Sequence, residues 1–193
     1  MWDLVSTWYH EGVPGHHLQL GAWAHRAAQL SRYQVSIGSV SATTEGWALY
    51  AERLMDELGH LRTPGERLGY LDGQRMRAVR VVVDIGMHLG LRLPAGTGHA
   101  GATWTPELGR AFFGARSGSP AAFVDSEVTR YLGWPGQAIS YKLGERAWLR
   151  GRDAARARHA AEGRDLDLRA WHTAALGLGS LGLDDLEGEL ARL

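Results

Sequence analysis

The segment HEGVPGHH, residues 10–17, constrains this chain more than any other stretch of its sequence. A His–Glu pair on a helix, followed by a second His one turn later, puts two imidazoles on one face, where they can share a metal ion. Here the second His comes later than that spacing allows. In an uninterrupted helix His17 shares a face with His10, because seven residues make about two turns. If the Pro-Gly pair between them forms a bulge, His16 takes that position instead. The spacing leaves both alternatives open.

Glu11 places a carboxylate, a possible general base, beside the two imidazoles. A carboxylate at this position can take a proton from a water molecule held at a metal ion. The chain has nine His and no Cys, so any metal ion must be held by His, Asp or Glu. A kinked helix with solvent-facing imidazoles is the structural alternative. The density of His and Glu in this short segment favours the metal site.

A third ligand is predicted in the segment EGWALYAE, residues 45–52. Glu45 and Glu52 are seven residues apart and therefore share one face of a helix. One carboxylate can ligate the metal ion, while the other holds a ligating imidazole by a hydrogen bond. A solvated acidic face is the alternative, but Trp47 and Leu49 beside Glu45 make the segment amphipathic. We therefore expect Glu45 to be the third ligand and Glu52 to support a His.

A polar stripe runs along one face of a later, strongly apolar segment. Its members lie at relative positions 0, 3, 7 and 11, on one side of a helix: Arg77, Arg80, Asp84 and His88. The residues between them are mostly Val and Ile, so the stripe is expected to face a buried cleft in which charges must pair. It is either a structural set of ion pairs or a substrate site. In the second case Arg binds a substrate carboxylate and His88 donates a hydrogen bond to the transition state.

Two tyrosines, Tyr131 and Tyr141, flank a Pro-Gly turn further along the chain. A phenolic hydroxyl can stabilise the oxyanion of a tetrahedral intermediate. A Tyr in a helix more often belongs to the hydrophobic core. Both tyrosines are therefore candidates for the site, and their spacing alone does not assign them to it.

The chain is predicted to be mainly helical and to form a single domain over residues 1–193. Thr-Pro and Ser-Pro pairs mark helix starts at 63–64, 105–106 and 119–120. The expected helices cover residues 4–30 with an interruption, 45–58, 64–91, 106–113, 120–132, 137–162, 166–175 and 183–193. Residues 31–43 are polar with a few apolar positions, so a loop, or a short strand or hairpin near 33–42, is expected there.

Charge and hydropathy argue against several classes of partner. The formal net charge is +0, which gives no basic surface for nucleic acid and no polybasic patch for a membrane. No stretch approaches the roughly 20 apolar residues of a membrane-spanning helix. Residues 1–10 lack the features of a signal peptide. We therefore expect a cytoplasmic protein that binds neither nucleic acid nor membrane.

Five stretches together resemble the bacterial family numbered 885 among the domains of unknown function, which is grouped with zincin-like metallopeptidases. They occur in the family's order and cover nearly the whole chain: HEGVPGHHLQ (10–19), EGWALYAE (45–52), RAVRVVVDIGMH (77–88), EVTRYLGWPGQAISYKLG (127–144) and LRAWH (168–172). The resemblance implies a zincin-like, gluzincin-type helical domain.

The family pattern H-E-x-x-P-G-H implies one Zn²⁺ held by His10, His16 and Glu45. Glu11 is then the general base, and His17 becomes the second choice as a ligand. Two His and one carboxylate can also hold Fe²⁺, so another divalent metal is compatible with the same ligands.

The resemblance also implies an activity, the zinc-dependent hydrolysis of peptide or amide bonds by a metallopeptidase. Tyr141 and His88 are the implied transition-state donors. Residues expected to support the ligands or bind substrate are His17, Glu52, Arg77, Arg80, Asp84 and Tyr131. Two alternatives are a non-peptidase tailoring metalloenzyme and a non-catalytic, metal-binding half of a two-chain assembly.

Family members are usually longer, with a helical region before the His–Glu motif that forms the other wall of the substrate cleft. This chain therefore resembles the C-terminal catalytic half alone. We expect a peptide or amide substrate, and either a homo-oligomer or a partner chain that completes the cleft.

Overall fold

The computed structural model describes residues 2 and 4–193, and it confirms the mainly helical prediction. Nine helices make up this part of the chain: α1 (Leu4–Glu11), α2 (His16–His25), α3 (Ser41–Glu57), α4 (Pro64–His88), α5 (Pro106–Gly114), α6 (Ala121–Gly133), α7 (Gln137–Ala161), α8 (Leu168–Leu176) and α9 (Leu183–Arg192). A 3₁₀ turn at Ala27–Gln29 follows α2. Within the described residues no helix combines the length and the hydropathy needed to cross a membrane.

Two helices begin where the Thr-Pro pairs predict. The hydroxyl of Thr63 accepts a hydrogen bond from the backbone N–H of Glu66 at 3.2 Å, and the Glu66 carboxylate accepts one from the backbone N–H of Thr63 at 3.0 Å. This reciprocal capping box, with Pro64 in the first turn, starts α4. Thr105 caps α5 through the backbone N–H of Leu108 at 3.3 Å.

Of the alternatives expected near residues 33–42, the loop is correct and the short strand or hairpin does not form. Residues 33–40 form turns and irregular backbone, and residues 41 and 42 already belong to α3. Val35 and Ile37 are 38% and 85% exposed, so the segment lacks the alternating burial of a half-buried strand. The segment is held instead by Gln34, whose side-chain amide donates to two backbone carbonyls in the 178–180 loop.

Helix α3 forms the centre of the fold. Every residue from 46 to 52 is buried, and α1, α2, α7 and α9 pack around the helix. Trp47 meets Trp148 of α7 edge to face, with ring centroids 4.8 Å apart. Because it is packed on every side, α3 holds Glu45 and Glu52 in fixed positions.

A second apolar cluster lies where α4, α5, α6 and the start of α7 meet. Its buried members are Val79, Val83, Leu93, Trp104, Phe113, Val124, Val128, Tyr131 and Ala138. Helix α4 thus buries its Val-rich face here, while its polar stripe contacts α3, α6 and the turn before α7. Helix α7 contributes to both clusters and so joins them.

Helices α3 and α7 cross where Gly46 of α3 meets Gly144 of α7. A Cβ on Gly144 would lie 1.9 Å from the carbonyl oxygen of Ala42, and a Cβ on Gly46 would lie 2.4 Å from the Cα of Gly144. Only residues without a Cβ allow the two backbones to approach so closely. The crossing brings Tyr141 on α7 next to Glu45 on α3.

Candidate metal centre

The turn between α1 and α2 decides which histidine faces His10. A Cβ on Gly15 would lie 1.9 Å from the carbonyl oxygen of His10, so only Gly lets the chain fold back so tightly. The indole N–H of Trp47 donates to the carbonyl of Pro14 at 2.8 Å and fixes the turn onto α3. As a result α2 begins at His16, whose ring lies edge-on to that of His10 with centroids 4.8 Å apart.

Three potential ligand atoms converge beside this turn. Nε2 of His10 and Nε2 of His16 each lie 3.3 Å from the same oxygen, Oε2 of Glu45. Ligand atoms bound to a tetrahedral zinc ion at about 2.0–2.1 Å lie roughly 3.3–3.4 Å apart. Oε2 of Glu45 is buried and has no hydrogen-bond partner among the described residues. A buried oxygen without a partner is costly unless a cation contacts it. The residues present therefore fit zinc.

Glu11 lies on the solvent side of this cluster. Its carboxylate and the ring nitrogens of His10 and His16 all fall within 4.8 Å of one another. Glu11 is exposed, and a groove of about 440 Å³ runs along α1 beside it. The groove is lined by Leu4, Val5, Thr7, Trp8, Tyr9 and Glu11. A substrate can therefore reach Glu11 from outside without displacing a ligand side chain.

Glu52 holds His10 from the side opposite Glu45. Its Oε1 lies 2.7 Å from Nδ1 of His10 and 2.9 Å from the guanidinium of Arg77, and its Oε2 accepts a hydrogen bond from Ser6. Burial raises the pKa of Glu52, but the charge of Arg77 and the hydrogen bond from His10 outweigh it, so the pKa falls below its ordinary value. The ionised carboxylate selects the Nδ1–H form of His10 and leaves Nε2 free to ligate. These are the contacts that the predicted supporting role of Glu52 requires.

The charges of the cluster stabilise one another. Burial lowers the pKa of His10, yet the close carboxylates of Glu45 and Glu52 outweigh it and raise that pKa above its ordinary value. Burial raises the pKa of Glu45, yet the imidazoles of His10 and His16 bring it well below its usual range. The charge of Glu52 is balanced by Arg77, whereas the ionised carboxylate of Glu45 faces two imidazoles, a position at which a divalent cation would be favourable.

Gln137, the first residue of α7, is a member of the site that sequence reasoning missed. Its side-chain amide donates to Oε1 of Glu45 at 3.3 Å, and its own oxygen accepts a hydrogen bond from Arg130. One oxygen of Glu45 is therefore taken up by Gln137, while the other faces the two imidazoles. The pair lies 92 positions apart in the chain, so no local spacing could have indicated it.

Tyr141 lies beside the cluster, four residues further along α7. Its ring stacks on that of His10 with centroids 6.1 Å apart, and the Arg80 guanidinium lies 4.7 Å from the centre of the Tyr141 ring. Burial and the negative charge of Glu45 raise the pKa of Tyr141, so the hydroxyl keeps its proton at neutral pH. This protonated form is the one that the predicted role of transition-state donor requires.

The two arginines of the polar stripe on α4 are both paired within the chain. Arg77 contacts Glu52, as described above. Arg80 lies 2.6 Å from Glu127 and donates to the hydroxyl of Tyr131 at 3.0 Å. Tyr131 in turn donates to the same Glu127 oxygen at 2.8 Å. These contacts favour the structural interpretation of the stripe over binding of a substrate carboxylate.

At the far end of the stripe, His88 contacts the end of α6, and Asp84 contacts the turn before α7. Nε2 of His88 lies 3.0 Å from the backbone carbonyl of Tyr131 and 3.1 Å from the Asp84 carboxylate. Asp84 accepts a hydrogen bond from the backbone N–H of Gly136 at 3.0 Å. In the described part of the chain no contact joins His88 to the imidazole cluster. His17 is exposed and likewise forms no contact with it there.

Fold and site together define an all-helical protein with a partly buried His/Glu cluster of the kind that holds a metal ion. The chain belongs to the family described as bacterial protein of unknown function, DUF885, whose model matches residues 1–190. The family predicted from the five sequence stretches is thereby confirmed. A comparison with curated proteins found no match.

Two solved structures share the fold. A candidate lipoprotein from Colwellia psychrerythraea is 34% identical with a TM-score of 0.80, and the match covers 99% of this chain and 30% of that protein. A candidate lipoprotein of unknown function from Shewanella oneidensis is 24% identical with a TM-score of 0.76, over 98% of this chain and 31% of that protein. The second likeness shows the fold alone. This chain therefore spans less than a third of the length of either protein.

Proposed function

We propose that this protein is a zincin-like, zinc-dependent hydrolase of peptide or amide bonds. The observation that supports it is the convergence of the two imidazole nitrogens of His10 and His16 on one oxygen of Glu45, each at 3.3 Å. Zinc held by these three residues would act as a Lewis acid toward the scissile carbonyl and toward water. Another divalent metal such as Fe²⁺ suits the same ligand set.

Glu11 moves the proton in this proposal. Its exposed carboxylate takes a proton from the attacking water as the new C–O bond forms. Glu11 then gives that proton to the leaving amine nitrogen as the C–N bond breaks, so the carboxylate is regenerated. Tyr141 donates a hydrogen bond from its protonated hydroxyl to the oxygen that becomes negatively charged. The groove along α1 beside Glu11 gives the substrate its approach.

A different observation favours a second candidate, a metal-binding half of a larger assembly. Leu4 and Trp8, which line the groove beside Glu11, are 55% and 70% exposed. Apolar surface next to an open site is what a second wall of a substrate cleft would cover. A partner chain or a second copy would then complete the cleft. Sedimentation of the chain with and without a candidate partner, combined with an activity assay, distinguishes this candidate from an enzyme that works alone.

A cytoplasmic location remains part of the proposal. The two structural neighbours are described as candidate lipoproteins, and that description applies to them. Fractionation of the native cells, followed by detection of the chain, tests the location directly.

Metal analysis of the purified chain tests the proposed centre. After loading with zinc and desalting, we expect one zinc ion per chain. His10→Ala and His16→Ala should lose it because each removes one of three ligands, whereas His17→Ala should retain it as the matched control. Equal zinc content in the His16→Ala and His17→Ala proteins would contradict the assignment of ligands.

The role of Glu11 is tested by Glu11→Gln with a panel of peptide and amide substrates. Gln is close in size but cannot accept the proton, so the variant should keep its zinc while hydrolysis falls by about a hundredfold or more. Full activity in the zinc-loaded variant would remove Glu11 from this role.

A further inference from the structure

A second cleft, of about 650 Å³, lies between α2, the end of α3 and α8. Helix α2 contributes Leu18, Ala22 and His25 to its lining. These side chains lie on the side of α2 roughly opposite His16. The cleft is therefore separate from the proposed metal centre. Its volume lies within the range of small-molecule sites.

The wall of this cleft is largely aliphatic. Five leucines contribute to it: Leu18, Leu54, Leu58, Leu168 and Leu176. Leu54 and Leu176 are buried, whereas Leu58 at the rim is 59% exposed. A ligand's hydrocarbon chain that packs against this aliphatic wall would remove apolar surface from water, which favours binding.

The ionisable groups that line the cleft are Arg26, Arg169, His25 and His172. Among the residues that the structure describes, no Asp or Glu lines it, although acidic and basic residues are equally numerous in the chain, at 21 each. Within the described residues neither the Arg26 nor the Arg169 guanidinium has a salt-bridge or hydrogen-bond partner, although most arginines near the core pair with a carboxylate. The cleft is thus positively charged and has two cations available to a ligand.

The guanidinium of Arg26 lies close to the end of α8. A Cβ on Gly177, at the end of α8, would lie 1.5 Å from Nη1 of Arg26. Any larger residue at this position would displace the guanidinium. That guanidinium is the flexible end of a long side chain, so the contact shows only that Arg26 lies against the end of α8, at the wall of the aliphatic cleft.

We propose that this cleft binds an amphipathic anion, namely an aliphatic carboxylate. Its hydrocarbon chain would lie on the leucines, and its carboxylate would pair with Arg26 and Arg169. Arg and carboxylate form charge-assisted hydrogen bonds with matched geometry. This site does not depend on the hydrolase proposal, because none of its lining residues belongs to the metal centre.

Calorimetric titration of the full chain with sodium decanoate below its micelle concentration tests the proposal, with a chelator present to empty the metal centre. We expect one decanoate per chain. Decyltrimethylammonium has the same hydrocarbon chain and the opposite charge, so it should bind at least about tenfold more weakly. Equal binding of the two probes, or no decanoate binding up to about 1 mM, would overturn the proposal.

Matched variants locate the site. Arg26→Gln and Arg169→Gln should each weaken decanoate binding about fivefold, while Arg146→Gln, at an exposed position on α7, should leave it unchanged. Leu58→Glu places a carboxylate at the rim and should weaken binding at least tenfold. Its control is Leu68→Glu on α4, at a leucine that is also 59% exposed.

Two results would overturn the location. Equal effects of Leu58→Glu and Leu68→Glu would show that decanoate binds elsewhere. The second result is that the protein does not bind decanoate but self-associates, and that Leu58→Glu abolishes this self-association. It would show that the cleft is a contact between copies of the chain.

Discussion

Oε1 of Glu52 lies 2.7 Å from Nδ1 of His10 and 2.9 Å from the guanidinium of Arg77. Because this carboxylate is 1% exposed, its charge is balanced within the protein and not by solvent. The contact fixes both the ring plane and the tautomer of His10. Glu52, which contacts Nδ1, thus sets the direction in which Nε2 of His10, the proposed ligand atom, points.

Glu52→Gln should weaken zinc binding about 10- to 100-fold, because loss of a carboxylate partner lowers the basicity of a ligating imidazole and loosens its orientation. The dissociation constant can be measured by competition with a chromophoric chelator. Glu187→Gln on α9, where the carboxylate is 40% exposed, is the control and should leave the constant unchanged. Unaltered affinity in a folded Glu52→Gln protein would show that His10 needs no such partner.

Gly144→Ala should destabilise the fold by about 3 kcal/mol, because the new methyl group would meet the carbonyl oxygen of Ala42 at 1.9 Å and force α3 and α7 apart. Gly188→Ala is the matched control, since no atom lies within 4 Å of its added Cβ in helix α9. That variant should gain about 0.5–1 kcal/mol from helix propensity. Urea unfolding of the three proteins gives both values. Similar stabilities of the two variants would mean that the helices can separate without cost.

The helical fold was predictable from the sequence because its signals are local. The capping residues Thr63 and Thr105 lie directly before the prolines that start α4 and α5, so each helix start is specified within a few positions. The sequence could not decide between a loop and a short strand near residues 33–42, because apolar residues at alternate positions form a strand only if one face becomes buried. Ile37 is instead exposed, and Gln34 ties the segment to a loop far away in the sequence.

The candidate site was predictable in part. His10 and Glu45 follow from motif and helix periodicity, but the choice between His16 and His17 depends on a turn. That turn is set by the absence of a Cβ at Gly15 against the His10 carbonyl and by the Trp47 indole that holds it. These are tertiary contacts, which a single sequence without a structure does not reveal.

Arg80→Gln should destabilise the protein by about 3 kcal/mol, because it breaks a pair in which both side chains are largely buried. Arg110→Gln is the control, since its partner Asp125 is 65% exposed, and it should cost less than about 1 kcal/mol. Once a substrate is known, KM should be similar in folded Arg80→Gln and in the unaltered protein. A large increase in KM at unchanged stability would show instead that Arg80 binds substrate.

His172 lies at the edge of the aliphatic cleft and within the aromatic core. The Arg152 guanidinium donates to the hydroxyl of Tyr50 at 3.1 Å, so that hydroxyl donates to Nε2 of His172 at 2.7 Å. Burial, followed by the positive charges of Arg152 and Arg156, lowers the pKa of His172 to about 4, while a hydrogen bond with the Leu168 backbone and the charge of Glu57 oppose the shift. The folded protein therefore needs this imidazole in its neutral form.

Acid should consequently destabilise the fold through His172. Its pKa is about 4 in the folded state and 6.5 ordinarily, so between these values the unfolded chain binds more protons. The resulting stability is complete above about pH 6.5 and is lost as the pH falls toward 4, by on the order of 2 kcal/mol. Gln at position 172 keeps a hydrogen-bond acceptor for Tyr50 without titrating, so His172→Gln should lose less stability over that range. Urea unfolding at several pH values measures the difference, and parallel pH profiles of the two proteins would refute this origin of acid sensitivity.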